Sequence, residues 1–117
     1  MKTRPKDAGT RFETTTVRSA QDAGLIAERL PEAGTNDLGD IRITTDLEWI
    51  GECKDRMSLN IPQALEKALT KSGTPNTFLV YRKMIRKPGN QNRTQDGPTI
   101  VALTLDRFLQ LLKDTTT

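Results

Sequence analysis

The sequence predicts a single α/β domain with the element order αβββαββα. Two patterns carry that prediction. Val, Ile, Leu and Phe fall in short runs of strand length, such as Ile41-Arg42-Ile43 and Phe78-Leu79-Val80, separated by Gly, Pro and Asn. Between them lie stretches with apolar residues at helical spacing, Ile61, Leu65, Ala68 and Leu69, then Leu105, Phe108, Leu109 and Leu112. A chain of 117 residues, 34% hydrophobic and with a mean hydropathy of −0.59, has room for one modest core and no second domain. Residues 1–8 are expected to be a flexible N-terminus, 9–113 the domain and 114–117 a flexible tail.

Each element has a local reason. Thr10 is an expected N-cap for a first helix running to about Asp22, stopped by Ala23-Gly24. Leu25 to Leu30 reads as the first strand and Pro31 to Asn36 as the loop after it. Asp40 to Thr44 makes the second strand, and Thr45-Asp46 turns the chain into the third, Leu47 to Lys54. Asp55 to Asn60 leads to a helix with Pro62 near its first turn, where a missing N–H is harmless. Gly73 to Asn76 ends that helix before the strongly β-prone Phe78-Leu79-Val80-Tyr81. Arg86 to Gly97, rich in Gly, Asn, Gln and Arg, reads as the longest irregular stretch. Ile100 to Leu103 is the fifth strand, and Thr104 opens the last helix.

Composition removes several function classes. There is no histidine, which excludes Ser-His-Asp and Cys-His hydrolysis, HNH-type nuclease chemistry and histidine-bound zinc. One cysteine allows neither an intramolecular disulfide nor a cysteine-based zinc site. No apolar run approaches the roughly 20 residues of a membrane span, and Met1 to Lys6 is polar and basic, so a cytoplasmic protein with no membrane partner is expected. Any catalysis must use carboxylates, lysine and a metal.

The net charge is only +3, with a pI of 9.2, but the charge is unevenly spread. Asp22 to Glu52 is acidic, whereas Arg82, Lys83, Arg86, Lys87 and Arg93 form a basic cluster with no acid from Tyr81 to Gln95. An acidic centre framed by basic segments suits a metal site inside a phosphate-binding rim.

The triplet Glu52-Cys53-Lys54 is the most informative feature. In a strand, Glu52 and Lys54 project to one side and Cys53 to the other, where a buried core role is expected of the thiol. If Asp40 opens the neighbouring strand, its carboxylate reaches the same spot and provides a second hard oxygen ligand beside a lysine. Glu13, in the first turn of the first helix, has an alternative role as partner of the helix dipole. Gln63 shares a helix face with Lys67 and is either solvent-exposed or turned to the site.

Taken in order, Gly9-Thr10-Arg11-Phe12-Glu13, Gly39-Asp40 and Glu52-Cys53-Lys54 resemble the motifs of the PD-(D/E)xK nuclease superfamily, and most of all the archaeal-type Holliday junction resolvases and their phage relatives. The resemblance spans roughly Gly9 to Leu112. It implies a restriction-endonuclease-like mixed five-stranded sheet flanked by helices, a Mg²⁺-dependent nuclease in which Mn²⁺ substitutes, and a homodimer acting on DNA, specifically four-way junctions. It also implies that Asp40, Glu52, the Cys53 carbonyl and Glu13 hold metal, and that Lys54 orients the attacking water or stabilises the phosphoryl oxygens. Arg11, Arg82, Lys83, Arg86, Lys87 and Arg93 would then hold backbone phosphates, with Gln63 as an accessory residue. Gly39 stands where the nominal motif has proline, and Thr14 follows Glu13 where the family often has a basic residue. The rival expectations are a related nuclease acting on ordinary duplex and a non-catalytic DNA-binding module.

Overall fold

The computed structural model describes residues 5–31, 37–86, 88–89 and 92–115. The first helix, α1 (Pro5–Asp22), begins five residues before the expected Thr10 cap. Proline suits a first turn, and Thr10 instead lies inside the helix, its carbonyl accepting from the Thr14 hydroxyl. Strands β1 (Ile26–Arg29), β2 (Ile41–Thr44) and β3 (Glu48–Arg56) follow, each antiparallel to the one before.

Helix α2 (Ile61–Ser72) is framed by its caps. The Asn60 side chain accepts from the Gln63 N–H, and Gly73 takes the left-handed conformation at φ 71° that lets its N–H reach the Leu69 carbonyl. The helix connects β3 to β4 (Thr77–Arg86), which runs parallel to β3.

Strand β4 is ten residues long, well past the expected end at Tyr81. It pairs with β3 along Thr77 to Lys83, with β6 (Ile100–Ala102) at Leu79 to Tyr81, and with β5 (Arg93–Gln95) at Met84 to Arg86. β5 lies in the stretch expected to be irregular, so among the described residues the order is αβββαβββα with six strands. Its polar sequence has no strand signature; pairing with the extended end of β4 makes it a strand. Helix α3 (Leu105–Asp114) closes the chain.

The result is a mixed α/β fold with a mixed sheet and three helices. Phe12 and Val17 of α1 bury against Ala27, Ile41, Trp49, Cys53, Phe78 and Val80. Alternation sends the other residues of β3, Ile50, Glu52 and Lys54, to the opposite face, where α2 packs with Leu65 and Ala68 buried. Helix α3 is held differently. Leu111 packs on the core, and Arg107 stacks over Trp49 at 4.7 Å while donating to Asn76 Oδ1 at 2.7 Å. The apolar row Leu105, Phe108, Leu109 and Leu112 stays exposed. Among the described residues no helix is long and apolar enough to cross a membrane.

Candidate active site

Asp40 is held by the backbone on both sides. Its carbonyl accepts from the Leu30 N–H at 2.8 Å and its N–H donates to the Gly51 carbonyl at 3.0 Å. Beyond that last bond, the Cys53 N–H donates to Asp40 Oδ2 at 2.8 Å, so the side chain takes the place of a strand partner. The residue before it must be small. A Cβ on Gly39 would stand 2.5 Å from Ile50 Cγ2 and 3.2 Å from the Gly51 carbonyl, so glycine lets the chain approach β3 closely enough to deliver Asp40.

Glu52 is buried and faces α2, where its Oε1 accepts from Lys71 Nζ at 2.8 Å. Lys71 also lies 3.3 Å from Asp37 Oδ2. Burial pushes the Glu52 carboxyl above its ordinary range; the Lys71 hydrogen bond opposes this, and the charge of Asp40 adds to it. Burial alone would lower the Lys71 ammonium, but its bonds to Glu52 and Asp37 outweigh that and hold it above the ordinary lysine value. Asp40 and Glu52 therefore form a pair of mutually repelling carboxylates with an ammonium on one of them.

Glu13, Asp40, Glu52 and Lys54, the four residues picked from sequence for catalysis, line one cleft of about 750 Å³. An adjoining groove of about 260 Å³ joins Glu52 and Lys54 to Gln63, Lys67 and Lys71 of α2. Lys54 is half-buried, and among the described residues it makes no ion pair. Glu13 is buried, and its Oε2 accepts from Arg29 Nε at 3.1 Å, with Arg29 Nη2 also at 3.1 Å. Because α1 begins at Pro5, Glu13 lies in the third turn and not the first, beyond the reach of the terminal dipole. Arg29 pairs with its charge there.

Cys53 points into the core, as the alternation predicts. Burial, together with the nearby Asp40 charge, pushes its thiol up to about 12. A thiol in that state is a poor nucleophile. In the folded protein it is expected to resist Ellman's reagent at neutral pH and to react fully once denaturant unfolds the chain. The raised value also gives a sign to alkaline stability. Between about 9 and about 12 the unfolded chain has lost the thiol proton that the folded chain keeps, so stability falls as pH rises through that window. Prompt native labelling would show a different environment.

The basic residues divide into two groups. Arg11 and Arg86 are exposed, and Lys83 is exposed with Asp96 at 3.8 Å. Arg82 is turned into the fold: its Nη2 is 2.8 Å from Asp55 Oδ2 and its guanidinium lies 4.4 Å over the Phe12 ring. Arg93 reaches the same Asp55 oxygen at 3.5 Å and also lines the cleft. Lys87 lies outside the described residues.

Asp37, Asp55, Lys71 and Arg29 belong to the site or its support without having been picked from sequence. Asp55 directly follows the triplet and is the register partner of Arg82 across β3 and β4. No comparable local signal marks Lys71, which lies nineteen residues after Glu52.

Among the described residues no three His, Cys, Asp or Glu side chains gather into a metal-binding group. The available donor set is two adjacent carboxylates on neighbouring strands with the β3 backbone between them. Such hard oxygens fit Mg²⁺, which usually takes only one or two carboxylates and keeps several waters. Scanned against protein-family models and against curated protein sequences, the chain gives no match.

Proposed function

We propose that this cleft is the active site of a Mg²⁺-dependent endonuclease with a restriction-endonuclease-like core, cutting four-way DNA junctions as a homodimer. The observation that carries the reading is the convergence of Asp40 from the start of β2, Glu52 and Lys54 from β3 and Glu13 from α1 on one cleft. Their carboxylate and lysine chemistry meets the restriction set by a chain without histidine.

Asp40, Glu52 and the Cys53 carbonyl would hold Mg²⁺. Bound there, the ion supplies Lewis-acid stabilisation of charge on the phosphoryl oxygens and favours ionisation of water. The chain's own groups do the rest. The Cys53 N–H fixes the Asp40 carboxylate, and Gly39 keeps the approach open. Lys54, paired with no carboxylate among the described residues, orients the attacking water or neutralises charge growing on the phosphate. Glu13, steadied by Arg29, holds water at the inner wall of the cleft. Of the basic residues that the sequence offered, Arg11, Lys83 and Arg86 are exposed to backbone phosphates, and Arg93 reaches into the cleft from β5. The exposed apolar row of α3 offers a surface for self-association.

The test is cleavage of a four-way junction against linear duplex of the same sequence, with oligomeric state measured by light scattering. Mg²⁺ and Mn²⁺ are expected to support paired, symmetry-related nicks in the junction. Ca²⁺ should permit binding with little turnover, because the larger ion polarises water less. A monomer that cuts duplex as fast as junction would make the protein a general nuclease of the same chemistry. DNA binding without cleavage in any of the ions would make it a non-catalytic binding module.

A further inference from the structure

Lys71 is the cation that the sequence did not announce, and it sits on a carboxylate that the proposed ion must use. Its Nζ lies 2.8 Å from Glu52 Oε1 and 3.3 Å from Asp37 Oδ2. The two partners differ in surroundings. Only 7% of the Glu52 side chain is exposed, against 44% for Asp37. An enclosed carboxylate with a second one, Asp40, beside it needs a positive partner, whereas Asp37 has water. Lys71 is also the more exposed member of the pair, with 36% of its side chain accessible on a four-carbon stem in the last turn of α2.

We propose that Lys71 is the resident counter-cation of the active-site carboxylates. Its ammonium holds Glu52 while no divalent ion is bound, and it must release Glu52 when one enters, remaining anchored by Asp37. The entering ion would therefore compete with a side chain of the protein for the same carboxylate. The proposal rests on the reading of Asp40 and Glu52 as ion ligands. It assigns Lys71 a positioning role that tunes how much divalent ion the site requires. Lys67, one turn earlier on α2, lines the adjoining groove but makes no ion pair with Glu52, which makes it the matched control.

The test is Mn²⁺ binding to the full chain without DNA, read from the electron paramagnetic resonance of the free ion. It compares the unaltered protein with Lys71→Met, Lys71→Gln and Lys67→Met, and a melting curve of each variant reports folding. Both Lys71 variants are expected to bind Mn²⁺ about two- to fivefold more tightly, the factor that a partly exposed ion pair represents. Lys67→Met should match the unaltered protein. A second measurement needs no substitution: limited acetylation with mass spectrometry should show Lys71 labelling faster when Mg²⁺ is added, with Lys67 unchanged.

Equal or weaker Mn²⁺ binding by folded Lys71 variants overturns the proposal while leaving the ion site intact, since the unaltered protein still binds. Should those variants not fold, Lys71 labelling that ignores Mg²⁺ in an unaltered protein that binds Mn²⁺ overturns it equally. Absence of Mn²⁺ binding in the unaltered protein and all variants removes the ion-binding reading itself, and the proposal with it.

Discussion

Asp40→Asn and Lys54→Ala are each expected to lower Mg²⁺-dependent cleavage by about 10²-fold or more, the loss typical when a group that stabilises developing charge is removed. DNA affinity, measured by anisotropy in Ca²⁺, should stay within about tenfold, because backbone phosphate contacts supply most of such binding. Both substitutions suit the fold. Asparagine keeps an oxygen for the Cys53 N–H, and it removes a charge that repels Glu52, so the melting temperature should not fall. Removing Lys54 leaves no buried carboxylate without its partner, because Lys54 pairs with none among the described residues. Full Mg²⁺-dependent cutting by either folded variant would take that residue out of the catalytic role.

Asp55→Ala is expected to do the opposite, damaging the fold before the chemistry. The Asp55 side chain is 3% exposed and faces two guanidinium groups, Arg82 at 2.8 Å and Arg93 at 3.5 Å. Truncation leaves two like charges without their anion, and breaking one partner from a buried pair costs about 3–5 kcal/mol. For a chain of this size, with a total stability of about 5–15 kcal/mol, that is a large share. Partial exposure of the arginines puts the expected loss toward the low end of the range. Asp55 Oδ1 and Arg82 Nε are buried without a hydrogen-bond partner among the described residues, so the cluster is not fully satisfied there even when intact. The double substitution Asp55→Leu with Arg82→Met should therefore cost less than Asp55→Ala alone. Urea unfolding of the set gives the comparison, and a near-neutral Asp55→Ala would show that the arginines are compensated by solvent.

These two outcomes separate residues that the sequence presents in much the same way. Lys54 and Asp55 are neighbours on one strand, and Arg82 and Lys83 are neighbours on another. The two-residue period of a strand puts each pair on opposite faces. Lys54 and Lys83 turn away from α1, whereas Asp55 and Arg82 turn to the α1 side of the sheet, where Asp55 meets both arginines at the edge of the cleft. Composition marked all four as charged, but only the packing of Phe12 beneath Arg82, and of β5 beyond β4, shows which charges are internal.

What the sequence determined by itself was local. The α/β class, the start and end of α2, the inward turn of Cys53 and the shared face of Glu52 and Lys54 all follow from periods of 2 and 3.6 residues and from the stereochemistry of Pro62 and Gly73. Gly39-Asp40 was legible only through its place in the motif order; the close approach to Ile50 and Gly51 that requires glycine at position 39 is tertiary. Tertiary structure decided whatever depended on pairing between distant segments. The β3–β4 register sets Asp55 beside Arg82, and the seat of α2 brings Lys71 to Glu52. The length of β4 turns Arg93–Gln95 into a strand, and Arg29 rather than a helix terminus compensates Glu13. The three ion pairs among these contacts join residues 16 to 27 positions apart in a geometry set by how whole elements pack, and neither the propensity nor the periodicity of a single segment encodes that placement.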